Sequence, residues 1–378
     1  AAEREREIAR PRLFLGITCV GTIVSLSTVA LAFELPQNWR IDTGSPWIVD
    51  ALTIATFLTI FAALSAPFDW IGRRLVPNLG TQPRTKSWLR AVVFQTVVYF
   101  SFAMVLLLSG AMLGHIGTLA VFVLLNVGLA HFQTSIFGIL TGAKHRVLGA
   151  FGPARPKARY EVPIRVIETT DNGFTGGTTG LPGREQVLLP SRWRTQLSAQ
   201  SRVALLERFQ SIVRSGSHRR GLSCAIAWNV VGFSAASYLP GAGFESGAAL
   251  VTTILWFTLW SFLGLLLLPT VSRIAVRSAD RVAIRDGSSA KTLSQAIEEL
   301  REITRGEAQR SAGVESIFHP VPSPGRRPIR EAAETNERAP WHVARTALFL
   351  SWAGLGLLSR AVHCNCGRPE LWAFLPNE

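Results

Sequence analysis

Residues 91–140 read AVVFQTVVYFSFAMVLLLSGAMLGHIGTLAVFVLLNVGLAHFQTSIFGIL, fifty positions without one Asp, Glu, Lys or Arg. A bilayer core about 30 Å thick is crossed by roughly 20 apolar residues in a helix. The stretch therefore holds two spans, 91–113 and 116–140, parted only by Gly114 and His115. So short a break predicts a tight antiparallel hairpin. Working outward, residues 13–33 and 47–68 before it, and 222–239 and 248–271 after it, meet or approach the same criterion. The block at 222–239 is short and carries Ser223, Asn229, Ser234 and Ser237, which suits a helix facing its neighbours. The block at 13–33 is too long for the apolar region of a secretory signal and has no Ala-x-Ala site after it, so it reads as a retained span.

Composition agrees with a membrane protein. The 378-residue chain is 48% hydrophobic and 17% charged, which excludes a disordered or fibrous polypeptide. Its net charge is +14, and all but four of its 39 basic residues are arginine. The positive charge is not a nucleic-acid footprint, because it sits between the apolar blocks. Arg4, Arg6, Arg10 and Arg12 precede the first span, and Arg73, Arg74, Arg84, Lys86 and Arg90 separate the second from the third. Residues 34–46 hold only Arg40, and residues 240–247 hold no basic residue. The positive-inside rule then places the N-terminus and the large polar inserts in the cytoplasm, with the chain in a bacterial inner membrane. Four cysteines, two in or beside apolar blocks, do not form a disulfide framework.

The expected fold is an α-helical polytopic membrane protein of about six transmembrane helices with a small α+β cytoplasmic domain. Residues 1–140 form a four-helix membrane region, 141–221 a cytoplasmic insert, 222–271 two further spans, 272–341 cytoplasmic helices and a Pro/Arg-rich segment, and 342–378 an apolar helix and tail. In the first insert VPIRVIET (162–169) alternates as a half-buried strand, and a glycine-rich run leads to a second strand, QVLLP (186–190). A helix over 199–215 follows. In the second insert the last span continues to about residue 285, Asp286-Gly287 breaks it, and Ser288 or Ser289 caps a helix with Leu293, Ile297 and Leu300 on one face. Residues 315–340 read as irregular. The block at 343–361, flanked by Arg345, Arg360 and Arg368, reads as an interfacial helix or a seventh span.

Several motifs in these inserts fall in a familiar order. Asn172-Gly173-Phe174-Thr175-Gly176-Gly177 is followed by Leu197-Ser198-Ala199-Gln200, then a helix, two membrane segments, Ser272-Arg273-Ile274-Ala275-Val276-Arg277-Ser278-Ala279-Asp280, and His319-Pro320. Over about residues 160–330 this order resembles the HtpX-like and CAAX-prenyl-protease-like membrane zinc metallopeptidases. The resemblance implies a zinc site built from HExxH on the first helix and a Glu on the second, with Asp280 bracing it. It also implies that an edge strand near Phe174, Thr175, Gly176, Gly177, Val187, Leu188 and Leu189 binds an extended segment.

Aligned without gaps, however, HExxH falls on Arg208-Phe209-Gln210-Ser211-Ile212, and the third-ligand Glu falls on Val276. A site of this kind needs two imidazoles at i and i+4, a carboxylate base and a third ligand. None is present there. A guanidinium at Arg208 repels zinc, and Phe209, Ile212 and Val276 fill the space with apolar volume. The expectation is a pseudopeptidase with no catalytic residue, metal or cofactor, acting as scaffold or accessory subunit to other membrane protein subunits, in contact with membrane lipids and not with nucleic acid. Asp280 is expected to pair with Arg273, Arg277 or Arg281.

Other residues suggest alternatives. His218, with His319 and an acidic residue, could supply relocated zinc ligands, though a solvated or headgroup-bound loop histidine is the simpler reading. His131, in the fourth span, could ligate a haem or chlorophyll-type metal, against a plain helix–helix hydrogen bond. His363, Cys364 and Cys366 offer three soft ligands without a distant second pair. Arg73, Arg74, Arg155, Arg159, Arg219, Arg220, Arg326, Arg327 and Arg330 could meet anionic lipid or an acidic partner. The GFTGGTTGLPG run lacks the Lys-Ser/Thr and helix start of a phosphate loop.

Overall fold

The computed structural model describes residues 2–39, 45–75, 85–142, 145–147, 162–169, 171–327 and 339–373. The N-terminal region comprises α1 (Ala2–Ala32), the short α2 (Leu35–Asn38), α3 (Pro46–Arg74) and α4 (Thr85–Thr141). α4 is two helices joined at Gly114, whose φ of 67° and ψ of −171° are open to glycine and costly for other residues. The hairpin is real: Gln95 and Gln133, on its two arms, both reach the C-terminal tail, at Arg360 and Ala373, while His115 at its tip stacks on Tyr238.

Among the described residues, four helices, 9–32 of α1, α3, α4 and α8 (Gly247–Arg285), are long and apolar enough to cross a membrane, α4 being two arms joined at Gly114. The chain is a multi-pass membrane protein. The helix expected over 222–239 forms within α7 (Ser217–Ser237). It buries Leu222, Ala225, Asn229 and Phe233 against the bundle, and its Gly232 lets the ring of Trp260 lie on the backbone, since a Cβ there would stand 2.0 Å from that ring.

The polar inserts build one sheet from β1 (His145–Val147), β2 (Ile164–Ile167), β3 (Gly177–Thr179) and β4 (Gln186–Pro190), in the order β1-β2-β4-β3. β2 and β4 run parallel, with Ile164 opposite Val187, and the outer pairs are antiparallel. Side chains alternate along a strand, and β4 uses both faces. Val187 and Leu189 enter the core of the small α+β domain, while Leu188 enters the core of the helix bundle. This explains why QVLLP is apolar throughout rather than alternating.

After β4 come α5 (Trp193–Gln196), α6 (Ala199–Arg214), α7, α8, α9 (Ala290–Thr304) and α10 (Ala312–Phe318). The Ser198 hydroxyl caps α6 by accepting from the Ser201 backbone N–H at 3.2 Å. α9 buries Leu293, Ile297 and Leu300, as its spacing predicts.

The block at 343–361 is neither a seventh span nor a surface helix. It is helical only over α11 (Val343–Leu350), continues as two 3-10 turns (Ser351–Gly354 and Leu357–Ser359), and ends in α12 (Glu370–Ala373). Almost every residue from Trp341 to Ala361 is buried, including Trp352 and Leu358 at 0% exposure. The segment packs among α1, α4, α7 and α8 as an interior filling of the bundle. Its apolar run was ambiguous because burial by protein and burial by lipid demand the same composition.

Candidate functional site

α6 lies along α8, and the residues at the expected metal positions meet there. Arg208, Phe209, Ile212 and Val276 are each 1% exposed or less, and Asp280 is 4% exposed. Arg208 and Ile212 are one helical turn apart, so both face α8. Phe209, Ile212 and Val276 join one apolar core with Trp193, Leu205 and Ala279.

Charge balance centres on Asp280. The Arg208 Nε donates to Asp280 Oδ1 at 2.7 Å. Arg327 donates to the same carboxylate twice, from Nε to Oδ2 at 2.6 Å and from Nη2 to Oδ1 at 2.7 Å. Charge-assisted bonds of this length are the strong class, and the paired fork of Arg327 fixes the carboxylate plane. The Arg208 guanidinium also lies 5.1 Å from the ring centroid of Trp341, which covers it from the side of the tail. Trp341 is held by its N–H donating to the Ser217 carbonyl at 3.0 Å.

Asp280 was expected to pair with Arg273, Arg277 or Arg281, and its partners are instead Arg208 and Arg327. Arg273 turns away and donates to the carbonyls of Glu315, Ser316 and His319, closing the C-terminal end of α10. Arg327, grouped with the surface arginines, is an interior cation at 4% exposure. Arg73 and Arg74 lie over the rings of Trp88 and Trp70. Arg155, Arg159 and Arg330 lie outside the described residues.

Of the expected edge strand, only Gly177 lies on an outer strand, as the first residue of β3. Val187, Leu188 and Leu189 belong to β4, which has a neighbour on each side and no free edge. β3 is one of the two outer strands, with β1, and it packs against α4 and α6. Thr179 donates to Gln133 at 2.7 Å, and Thr178 meets His218 Nδ1 at 3.2 Å. Phe174 and Thr175 are 1% exposed, and Gly176 and Gly177 are buried beside them. The strand order, which decides which strand is an edge, is set by long-range pairing that no local pattern encodes.

His218 is likewise committed. Its second nitrogen, Nε2, lies 2.9 Å from the Gly180 carbonyl, so both ring nitrogens are engaged by the β3–β4 turn region. Burial lowers its pKa, outweighing the Gly180 bond and the charge of Glu185, which act to raise it. His319 packs edge-on to His363 at 4.8 Å between centroids. Among the described residues, no group of three or more His, Cys, Asp or Glu is arranged to hold a metal ion. His131 is exposed on the outer face of α4, beside Phe132, and makes no hydrogen bond to a neighbouring helix among the described residues.

Two buried ion pairs went unread in the sequence. Asp69 of α3 accepts from Arg360, from the Trp88 indole at 3.2 Å and from the Gly367 backbone N–H at 2.7 Å. Asp171 accepts two bonds from Arg368, one from Nε at 2.7 Å, and a third from the Gly173 N–H at 2.7 Å. Burial alone would raise the Asp171 pKa, but Arg368 outweighs it and holds it below the usual carboxylate range. Only the arginines flanking the apolar tail hinted at such partners.

No family model matches the chain, and no curated protein matches it. Among solved structures, the crystal structure of Ste24p from S. mikatae superposes with a TM-score of 0.67 over 86% of this chain and 87% of that one. The two are 12% identical. At that identity the likeness establishes a shared fold.

Proposed function

We propose that the chain is a catalytically inactive, metallopeptidase-like membrane protein that serves as a scaffold or accessory subunit of a larger membrane assembly. The observation that carries this reading is the Arg208–Asp280–Arg327 cluster. Ste24p is a CAAX prenyl protease of the zinc metallopeptidase group. A zinc site on this fold would draw two ligands and a base from α6 and a third ligand from α8. The residues at those places do not fit one. Two are apolar, Phe209 and Ile212, the α8 position is Val276, and the polar one is a permanent cation. The remaining carboxylate, Asp280, has both oxygens bonded to guanidinium groups. A cation brought there would have to displace two arginines from the interior.

The scaffold role draws support from the retention of a packed domain after the loss of its chemistry. The small sheet contributes side chains to two cores, Leu188 to that of the bundle and Val187 and Leu189 to that of the small domain. In this reading six helices cross a bacterial inner membrane, with the N-terminus and the sheet on the cytoplasmic side.

A second reading, a cofactor- or pigment-holding subunit, draws on the exposed imidazole of His131. Ionisable groups inside a membrane usually turn inward, and this one does not. It predicts a visible absorption band that His131→Ala abolishes.

The test is native mass spectrometry of the full chain extracted in mild detergent. A defined hetero-assembly without zinc is the expected result. A lone chain carrying about one zinc would overturn the proposal.

A further inference from the structure

Two arginines end α3, and each lies over an indole. The Arg74 guanidinium carbon stands 3.6 Å from the ring centroid of Trp70, one helical turn before it, and both side chains are exposed. The Arg73 guanidinium carbon stands 5.5 Å from the ring centroid of Trp88, near the start of α4. Trp88 is itself fixed against α3, because its indole N–H donates to Asp69 at 3.2 Å. Arg73 and Arg74 are consecutive, so their Cα atoms are about 3.8 Å apart. The two stacked cations therefore form one patch where α3 meets α4. An aromatic face attracts a guanidinium without using the donors in its plane, which stay available to an anion.

Those donors are not spent within the protein. Neither arginine makes a hydrogen bond or an ion pair among the described residues, and the Nη2 of Arg73 is buried without a partner. Two carboxylates lie near Arg73. Asp69 is taken by Arg360, Trp88 and the Gly367 N–H. Glu370 lies within electrostatic reach of Arg73 and also of Arg368. If Glu370 is counted wholly against Arg73, Arg74 still has no ion-pair partner among the described residues. Lys86 and Arg90, exposed at the start of α4, add to the positive excess.

An apolar stripe leads to this patch. Ile60, Leu64 and Ile71 are exposed on α3 at spacings of four and seven, and Arg74 follows Ile71 by three, so all four share one side of the helix. α3 is long and apolar enough to cross a membrane, and Arg74 is its last residue. An apolar stripe that ends in two stacked cations matches a molecule with an apolar chain and an anionic head. A soluble anion would use the arginines and leave the stripe idle.

We infer that Arg73 and Arg74, stacked on Trp88 and Trp70, form a binding site for the phosphate of an anionic phospholipid whose acyl chain lies along Ile60, Leu64 and Ile71. The guanidinium fork matches phosphate oxygens in paired geometry, and basic sites at the ends of spans hold lipid headgroups. This site is separate from the Asp280 cluster and does not depend on the chain being inactive.

The test is native mass spectrometry of the full chain in neutral detergent, with anionic phosphatidylglycerol or zwitterionic phosphatidylcholine added, for the wild type, Arg74→Gln and Arg74→Lys. The wild type should retain phosphatidylglycerol in preference to phosphatidylcholine, and inorganic phosphate should not displace it. Arg74→Gln should lower the affinity for phosphatidylglycerol about tenfold. Because Arg74 is exposed, this variant should keep the wild-type unfolding midpoint and report on binding alone. Arg74→Lys keeps the charge but not the flat fork, and should lose about as much. Equal retention of the two lipids by the wild type, displacement by inorganic phosphate, or wild-type binding by Arg74→Gln would overturn the inference. Wild-type binding by Arg74→Lys would also overturn it, by reducing the patch to a general attraction between cations and anionic lipid.

Discussion

Asp280 and Asp69 are both buried aspartates held by arginine, yet they are held by different chemistry. Asp280 meets two guanidiniums and, among the described hydrogen bonds, no neutral donor. Asp69 meets one guanidinium, from Arg360, and two neutral donors, from Trp88 and Gly367. The first is a purely ionic cluster at the α6–α8 junction. The second is a pin between α3 and the C-terminal tail, in which neutral N–H groups share the load. The contrast teaches that one pair of residue types serves two ends here, a fully ionic junction between α6 and α8 and an attachment of the tail shared with neutral donors.

That comparison can be broken by substitution. The largest effect is expected from Asp280→Ala, which strands two cations in the interior and should cost about 3–5 kcal/mol, read as a lowered midpoint in thermal unfolding. Arg360→Ala should come next, at roughly 2–4 kcal/mol, because Trp88 and Gly367 still serve Asp69. Limited proteolysis should then cut the loosened segment between residues 341 and 373. Arg208→Met is expected to cost only about 1 kcal/mol, since Arg327 keeps its paired grip on Asp280 and the thioether occupies the vacated apolar volume. If Arg208→Met destabilised as much as Asp280→Ala, the two arginines would not be redundant and the contrast would fail. His131→Ala should change the midpoint by less than about 0.5 kcal/mol, as its ring meets little but the bundle exterior.

The membrane helices were legible because a run such as 91–140 has one physical meaning, and the Gly114 break within it has one conformation. The strands at 164–167 and 186–190 were legible for a similar reason, being apolar and bounded by turn residues. The convergence of α6 and α8 was carried by the order of motifs, which placed Arg208, Phe209, Ile212 and Val276 together. What could not be read was who pairs with whom at a distance. Arg327 lies 47 positions from Asp280, in a segment with no periodicity, and Arg360 lies 291 from Asp69. The interior course of the tail was hidden for the same reason, because its apolar residues suit lipid and protein equally well. Likewise β4 reads as a possible edge until the pairing of β3 beyond it is known.

The central claim is that the α6–α8 junction does not hold zinc. The most direct test follows thermal unfolding of the purified full chain with added zinc, with chelator, and with neither. A ligand bound to the folded state alone raises the midpoint by mass action, and removing it lowers the midpoint. The same midpoint in all three conditions is predicted. A midpoint that falls on chelation and returns with zinc, and no longer does so once Asp280 is changed to Ala, would contradict it.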